Sequence, residues 1–200
     1  MSILIDSLPN SVMIGGQEVG INTDFRASLR FEMMLQDNTM SDVDVVKNAL
    51  DIYYGDSWRY FPAECFEEAC ERLDWFYRCG RDLPKSGKSD RKPLISYEHD
   101  GEYIYAALLK QGIDIQEIDY LHWWKFRAIF DSLPEDEKIM QIMKFRAVDI
   151  GDVPKEKKEY YRKMKKLYAI PEETRKSDRQ KQIEEILLNG GDLSVLNGKD

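Results

Sequence analysis

Apolar residues recur along most of this chain at the three- and four-residue spacing of amphipathic helices. The exception is "SVMIGGQEVGI", in which two short β-prone runs flank Gly15-Gly16, a dipeptide typical of hairpin turns. Downstream of it, the helical periodicity predicts about seven helices. We therefore predict a mainly α fold, a helical bundle in two lobes with a small N-terminal β-hairpin.

Capping residues and helix breakers indicate where the first helices begin and end. Asn22 or Thr23 can cap the helix in "DFRASLRFEMMLQD", and Ser41 can cap the helix in "SDVDVVKNALDIYYG". Pro62 suits the first turn of a third helix, and Gly80 suits its end.

The same signals continue in the second half of the chain. Gly112 is expected to stop the helix in "YEHDGEYIYAALLKQG", and Asp114 to cap the helix that contains "LHWWKFRAIF". Ser132 is expected to cap the next helix, and Pro154 and Pro171 each introduce a further one.

The stretch 84–93, "PKSGKSDRKP", is polar, lacks large apolar side chains and is bracketed by prolines, which is typical of a linker or a mobile loop. We therefore predict an N-terminal lobe over 1–83, consisting of the hairpin and helices, and a helical lobe over 94–188. A Gly-Gly pair and a polar end predict a flexible tail over 189–200.

Composition narrows the class of protein. Three irregularly spaced cysteines do not form a disulfide framework, and no apolar run approaches the ~20 residues of a membrane span. We therefore expect a cytosolic protein with reduced thiols. The net charge is −8, but residues 1–83 carry −8 and residues 155–181 carry +6. An acidic body with one basic helical stretch disfavours a general nucleic-acid domain, because the body would repel phosphates.

The aromatic block at 121–130 has two interpretations. On a helix, Trp123 and Trp124 belong to two adjacent apolar stripes, which is typical of a central bundle helix covered from two directions. A stacking platform for single-stranded nucleic acid is the competing interpretation. We favour the core, because large aromatic residues at helical spacing are usually buried.

Residue types that could support catalysis or metal binding lack the partners they need. His99 and His122 belong to no spacing typical of a metal site, and the carboxylates around His99 also suit a polar helix start, with Asp100 as the cap. Cys65, Cys70 and Cys79 have no histidine placed beside them by the sequence, so we interpret them as structural thiols.

The Gly-Lys-Ser fragment at 87–89 lacks the earlier glycine, the buried strand and the helix of a phosphate loop. The sequence therefore predicts no catalytic residue, no cofactor and no metal ligand.

The basic stretch "KEKKEYYRKMKKLY" carries an apolar stripe at helical spacing, with lysines and an arginine on the other side. Three interpretations remain open: a helix docked on an acidic body, a surface that recognises a partner through its tyrosines and methionine, and an RNA- or membrane-binding helix. The RNA interpretation predicts that reversing the charge of Lys163, Lys165 and Lys166 abolishes binding.

Several blocks together resemble a known family. The blocks "INTDFRASLRFEMML", "LDWFYRCG", "EHDGEYIYAALLKQGIDI", "YLHWWKFRAIFDSLPEDEKIMQIMKFRAVDI" and "YYRKMKKLY" are similar, in content and order, to the bacteriophage gene-product-fifteen proteins of long-tailed phages and prophages of Gram-positive bacteria. The resemblance spans residues 10 to 170, and the tryptophan-rich block is its most specific part.

The resemblance implies a largely helical, non-enzymatic tail assembly chaperone that binds the tape measure protein and promotes assembly of the tail-tube protein. It also implies that the protein acts in the host cytoplasm together with a second chaperone product and is absent from the mature virion. Self-association is a further expectation. No membrane partner is expected, and nucleic acid is disfavoured. The alternatives are a structural tail or head–tail connector component of the virion and, second, an RNA-binding protein acting through 155–181.

A chaperone of a long helical chain needs surfaces that accept amphipathic helices, and methionines and aromatic residues provide adaptable contacts. We therefore predict partner contacts on the first helix and on the basic helix. The predicted contact residues are Phe25, Leu29, Met33, Met34, Tyr160, Tyr161, Met164 and Tyr168.

Overall fold

The computed structural model of the chain describes residues 3–37, 40–81 and 93–171. Its strands form one antiparallel hairpin, in which Val12 pairs with Val19; they are β1 Ser11–Ile14 and β2 Gln17–Gly20. Gly15 and Gly16, both with positive φ, form the turn, as predicted. The helices are α1 Phe25–Gln36, α2 Asp42–Tyr54, α3 Phe66–Tyr77, α4 Gly101–Lys110, α5 Trp123–Asp131, α6 Lys138–Ala147 and α7 Lys155–Leu167, with 3₁₀ turns at Gly55–Tyr60 and Ala63–Cys65. The mainly α fold with a small hairpin is confirmed.

The described chain divides into two compact units. The first contains the described residues up to Arg81 together with Tyr120–Phe126, and the second contains 93–119 and 127–171. The predicted lobes place Tyr120–Phe126 on the C-terminal side. The predicted linker 84–93, apart from Pro93, and the predicted tail 189–200 lie outside the described residues, so this division stays a prediction.

The core of the first unit is aromatic. Phe31 lies edge-on to Tyr53 with ring centroids 5.7 Å apart, and Tyr53 lies edge-on to Phe76 at 6.0 Å. The hydroxyl of Tyr53 is buried and bonds the hydroxyl of Ser28 at 2.8 Å. Burial raises the pKa of Tyr53 well above its usual range, because the interior disfavours the phenolate. These contacts join α1, α2 and α3.

The segment before α5 joins the first unit through backbone hydrogen bonds. The amide of Phe25 donates to the carbonyl of Leu121 at 2.9 Å, and the amide of Trp123 donates to the carbonyl of Thr23 at 2.7 Å. Asp24 and His122 form the intervening antiparallel bridge. Because a backbone amide carries no residue-specific signal, nothing in the sequence pattern predicts this attachment.

A buried ion pair joins three segments of the second unit. Both terminal nitrogens of the Arg146 guanidinium donate to the carboxylate of Asp100, at 2.5 and 2.9 Å. Its Nε donates to the carbonyl of Tyr168 at 2.7 Å, and one terminal nitrogen also reaches the carbonyl of Leu94 at 2.8 Å. One side chain of α6 therefore holds the segment before α4 and the end of α7.

Some predicted helix signals are confirmed. The hydroxyl of Ser41 accepts from the amide of Asp44, as expected of an N-cap. Gly80 and Gly112 have positive φ just beyond α3 and α4, and Pro154 directly precedes α7. The helix predicted after Pro171 lies outside the described residues.

Other predicted caps are wrong. Asp24, rather than Asn22 or Thr23, caps α1 by accepting from the amide of Arg26 at 2.9 Å. Asp114 accepts from the amide of Gln116 within a turn that ends before α5.

The helices after Pro62 and Ser132 also begin later than predicted. A 3₁₀ turn at Ala63–Cys65 separates Pro62 from α3. Ser132 donates its hydroxyl to the carbonyl of Ile129 at the end of α5, and α6 begins only at Lys138.

Candidate functional site

The basic helix predicted from the sequence is α7, and it is only partly covered. None of its 13 residues is buried. Tyr161 and Met164 are half-buried, whereas Tyr160 is 54% exposed and Leu167 is 63% exposed. Tyr160 and Leu167 are two helical turns apart, so they lie on the same side of α7. The helix therefore presents an apolar edge to solvent, which we call the α7 edge.

A single aromatic residue of α6 anchors α7. The ring of Phe145 stacks on Tyr168 at 6.0 Å between centroids and lies edge-on to Tyr160 and Tyr161 at 6.0 and 5.9 Å. The ammonium of Lys138 lies 4.5 Å from the Tyr168 ring centroid. Such ring contacts contribute about 0.5–1.5 kcal/mol each. They fix the position of the α7 edge without covering it.

A cavity of about 380 Å³ lies beside α7 within the second unit. We call it the α6–α7 cavity. Its apolar lining consists of Pro93, Ile150, Ala169 and Ile170.

The rest of the lining of the α6–α7 cavity is basic and consists of Arg146, Arg162, Lys165 and Lys166. None of its eight lining residues is acidic. Sequence reasoning missed Arg146 and Ile150 as members of this site. Both lie outside the basic stretch in the sequence, and only folding places them beside α7.

The contact residues predicted on α1 have different surroundings. Phe25 is 2% exposed and its ring stacks on Phe126, with centroids 5.0 Å apart, so it lies in the core of the first unit. Leu29 is half-buried and Met33 is 42% exposed. Met34 lines a shallow cleft of about 550 Å³ between α1 and α2. Partner binding by these residues stays a prediction.

The two tryptophans of the aromatic block lie in the first unit and are buried. The indole nitrogen of Trp123 donates to the carbonyl of Tyr77 at 2.7 Å, and that of Trp124 donates to the carbonyl of Phe76 at 2.8 Å. Both indoles therefore satisfy carbonyls at the end of α3. The core interpretation is confirmed, since a nucleic-acid platform requires exposed ring faces.

His122 is buried and both of its ring nitrogens are engaged. Nδ1 accepts from the amide of Trp124 at 3.0 Å, and Nε2 lies 3.0 Å from the carbonyl of Pro9. Because Nδ1 accepts, Nε2 carries the proton and donates. Burial lowers the pKa of His122 below its usual 6.5; the hydrogen bond to Pro9 opposes this effect, and nearby Lys125 adds to it. The imidazole is thus held neutral as the cap of α5.

The structure also gives the surroundings of the other residues that were considered for catalysis or metal binding. Burial, together with smaller contributions from Glu67 and Glu71, raises the pKa of the Cys70 thiol to about 12. Asp100 beside His99 is the buried partner of Arg146. Across 3–37, 40–81 and 93–171, no group of three or more histidine, cysteine or acidic residues has the arrangement of a metal site. The Gly-Lys-Ser fragment at 87–89 lies outside the described residues.

A family model described as bacteriophage Gp15 protein matches residues 4–170. The chain belongs to this family. The resemblance given by the tryptophan block and its neighbours is therefore confirmed. Membership suggests a role in the structure or morphogenesis of a phage. No curated protein and no solved structure matches the chain. Among the helices described, none has the length and apolar character needed to cross a membrane.

Proposed function

We propose that this Gp15-family protein is a non-enzymatic tail assembly chaperone. In this proposal it binds the tape measure protein transiently and promotes assembly of the tail-tube protein around it. It acts in the host cytoplasm during assembly, alongside a second chaperone product or further copies of itself, and it is absent from the mature virion.

The observation that carries the proposal is the incomplete cover of α7. Tyr160 and Leu167 leave one side of α7 apolar and exposed, which offers a partner helix a surface to cover. An exposed apolar helix edge fits transient binding to another amphipathic helix. The tape measure protein, expected to be long and helical, would offer many such segments.

Methionines extend the adaptable surface in the second unit. Met140 and Met143 line a shallow cleft of about 320 Å³ on α6, together with Leu94. Unbranched thioether side chains adjust to partners of varied shape at low cost. A chaperone that meets successive, non-identical segments of one long partner requires such tolerance.

The residues best suited to chemistry serve the fold, which supports a non-enzymatic role. His122 uses both ring nitrogens to hold α5, and its lowered pKa keeps it neutral. Cys70 is buried with a raised pKa, which suppresses the nucleophilic thiolate. Both groups have the environment of structural rather than catalytic side chains.

Co-expression with the tape measure protein, the large gene product expected along the same operon, tests the proposal. The chaperone role predicts that the large protein becomes soluble and is recovered with this chain by pull-down. If the large protein stays equally insoluble and is not recovered, the proposal fails.

A matched pair of variants localises the effect. Tyr160→Ser with Leu167→Ser removes the α7 edge and is expected to abolish the rescue. Tyr60→Ser removes a tyrosine that is 85% exposed in the 3₁₀ turn of the first unit, and rescue should persist. Equal loss in both would argue against the α7 edge.

Mass spectrometry of purified particles separates the chaperone from the alternative of a tail or connector component. The chaperone proposal predicts that the chain is absent from purified virions at stoichiometric levels. Its presence in fixed copy number would support a structural component instead.

A further inference from the structure

We propose that the α6–α7 cavity binds an acidic, amphipathic segment of the partner protein. An aliphatic side chain of that segment enters the cavity, and its neighbouring carboxylates meet Arg162 and Lys166. This inference deepens the proposed function, because it states the chemistry of the partner segment that the chaperone binds.

The four cations around the cavity are not equivalent. The charge of Arg146 is neutralised by Asp100 through two hydrogen bonds, which also hold its side chain in a fixed position in the lining. The ammonium of Lys165 donates to the carbonyl of Val148 at 2.6 Å, which orients it but leaves its charge unpaired by that bond. Their roles are therefore mainly to shape the site.

Arg162 and Lys166 are the two cations that we assign to contact with the ligand. Both are exposed, and neither forms an ion pair within the part of the chain that the structure describes. They are four residues apart on α7, so their side chains lie on the same side of the helix. Two such cations at the edge of an apolar cavity complement a segment in which carboxylates flank an aliphatic residue.

The lining favours a protein segment over nucleic acid. Half of the lining residues are apolar, and one of them, Ile170, is buried, so the interior complements a hydrocarbon side chain. A phosphate backbone would use the cations but gain nothing from this apolar interior. The rings of α7 that could stack on bases, such as Tyr160, do not line the cavity.

The size of the cavity limits what enters it. A volume of about 380 Å³ lies at the lower end of the range for ligand pockets, which is roughly 300–1,000 Å³. It therefore accommodates one or two side chains rather than a folded surface. Charge pairing at the rim then orients the segment and favours acidic stretches of the partner over neutral ones.

Fluorescence anisotropy with the full chain tests the site directly. The probe is a labelled synthetic peptide of about 15 residues, with leucines at helical spacing and glutamates beside them. A second peptide has every glutamate replaced by glutamine, and a third probe is single-stranded oligouridine of similar length. We expect the acidic peptide to bind at least about ten-fold more tightly than the neutral one.

Three variants locate the binding. Arg162→Glu with Lys166→Glu reverses the rim, and Ala169→Trp fills the cavity without changing charge; each is expected to weaken binding at least about ten-fold. Lys157→Glu with Lys163→Glu changes the net charge of α7 equally, but neither residue lines the cavity. This control should stay within about two-fold of the unmodified protein. Circular dichroism confirms that each variant is folded.

Several results would overturn the site. They are equal loss in the cavity and control variants, equal binding of the acidic and neutral peptides, absence of any peptide binding, or preferential binding of oligouridine that falls steeply with salt. The co-expression assay stays independent of this one. If the rim-reversed variant still rescued the tape measure protein, the cavity would not be the binding site, but the chaperone role would stand. If the peptide bound the cavity but the chain gave no rescue, the chaperone role would fail and the binding site would stand.

Discussion

The amide of Trp124 donates to Nδ1 of His122 at 3.0 Å, so a histidine performs the capping role at the start of α5. Side-chain acceptors at this position satisfy one of the amides left unpaired in the first turn of a helix. Histidine is uncommon there, because only its unprotonated nitrogen can accept. The arrangement therefore couples the start of α5 to the protonation of one imidazole.

Stability should consequently depend on pH through His122. Its folded-state pKa is lowered, so below about 6.5 the unfolded chain binds a proton that the folded chain does not. Stability is then expected to fall as the pH is lowered through 6.5 towards the folded-state pKa. His122→Asn keeps an acceptor for the Trp124 amide and removes the titration. Urea unfolding at pH values about one unit on either side of 6.5 should give a smaller change for this variant. An unchanged pH dependence would contradict the role of His122.

The Arg146–Asp100 pair should be the most sensitive ion pair of the second unit. Both side chains are buried, so Arg146→Ala leaves a buried carboxylate without its partner and is expected to lower the free energy of unfolding by about 3–5 kcal/mol. Arg127→Ala removes a more exposed pair with Asp131 at 3.6 Å and should cost at most about 1 kcal/mol. Urea unfolding followed by circular dichroism measures both. Similar losses in the two variants would contradict the prediction.

The hairpin turn should distinguish its two glycines. A Cβ on Gly15 would lie 2.6 Å from Sγ of Cys65, whereas a Cβ on Gly16 would have no atom within 4 Å. Both glycines have positive φ, so either alanine substitution costs about 1–2 kcal/mol. Gly15→Ala should cost a further ~1–3 kcal/mol through the overlap. Thermal unfolding of the two variants checks the difference, and adding Cys65→Ala should abolish the excess.

Cys70 should be the least reactive thiol of the chain. Burial raises its pKa to about 12, so near neutral pH its thiolate fraction is far below that of an ordinary cysteine. A variant with Cys65→Ser and Cys79→Ser should react with a thiol reagent only after denaturant is added. A variant with Cys70→Ser and Cys79→Ser retains the half-buried Cys65 and should react in the folded state. Equal rates would contradict the burial of Cys70.

Local signals predicted the hairpin, the helical content and the capping role of Ser41, because each depends on neighbours within a few residues. The Gly15-Gly16 pair specifies a turn with positive φ, and Ser41 reaches the amide of Asp44 within its own first turn. The predicted cap of α1 was wrong because Asn22, Thr23 and Asp24 are residue types that are all acceptable as caps. Only the backbone path set by the bridge from Asp24 to His122 selects among them.

The predicted contact surfaces on α7 and α1 were likewise only partly predictable from the sequence. The stripe on α7 was visible in the sequence, since its period is that of the helix. How much of it the protein covers was not visible, because that depends on Phe145 of α6. Phe25 and Met33 belong to the same series of apolar residues at helical spacing on α1. Met33 is exposed, but Phe25 is buried against Phe126, about a hundred residues further along the chain.

The mainly helical class, the acidic body with its basic helix, and the family could all be inferred without coordinates, because composition, periodicity and ordered blocks are properties of the chain. The pairing of the basic residues could not be inferred in this way: Arg146 is neutralised by Asp100, whereas Arg162 and Lys166 form no ion pair within the described residues. Only the folded structure shows that Nδ1 of His122 accepts from the amide of Trp124 at the start of α5. Burial and charge pairing depend on contacts between distant segments, which a local pattern does not encode.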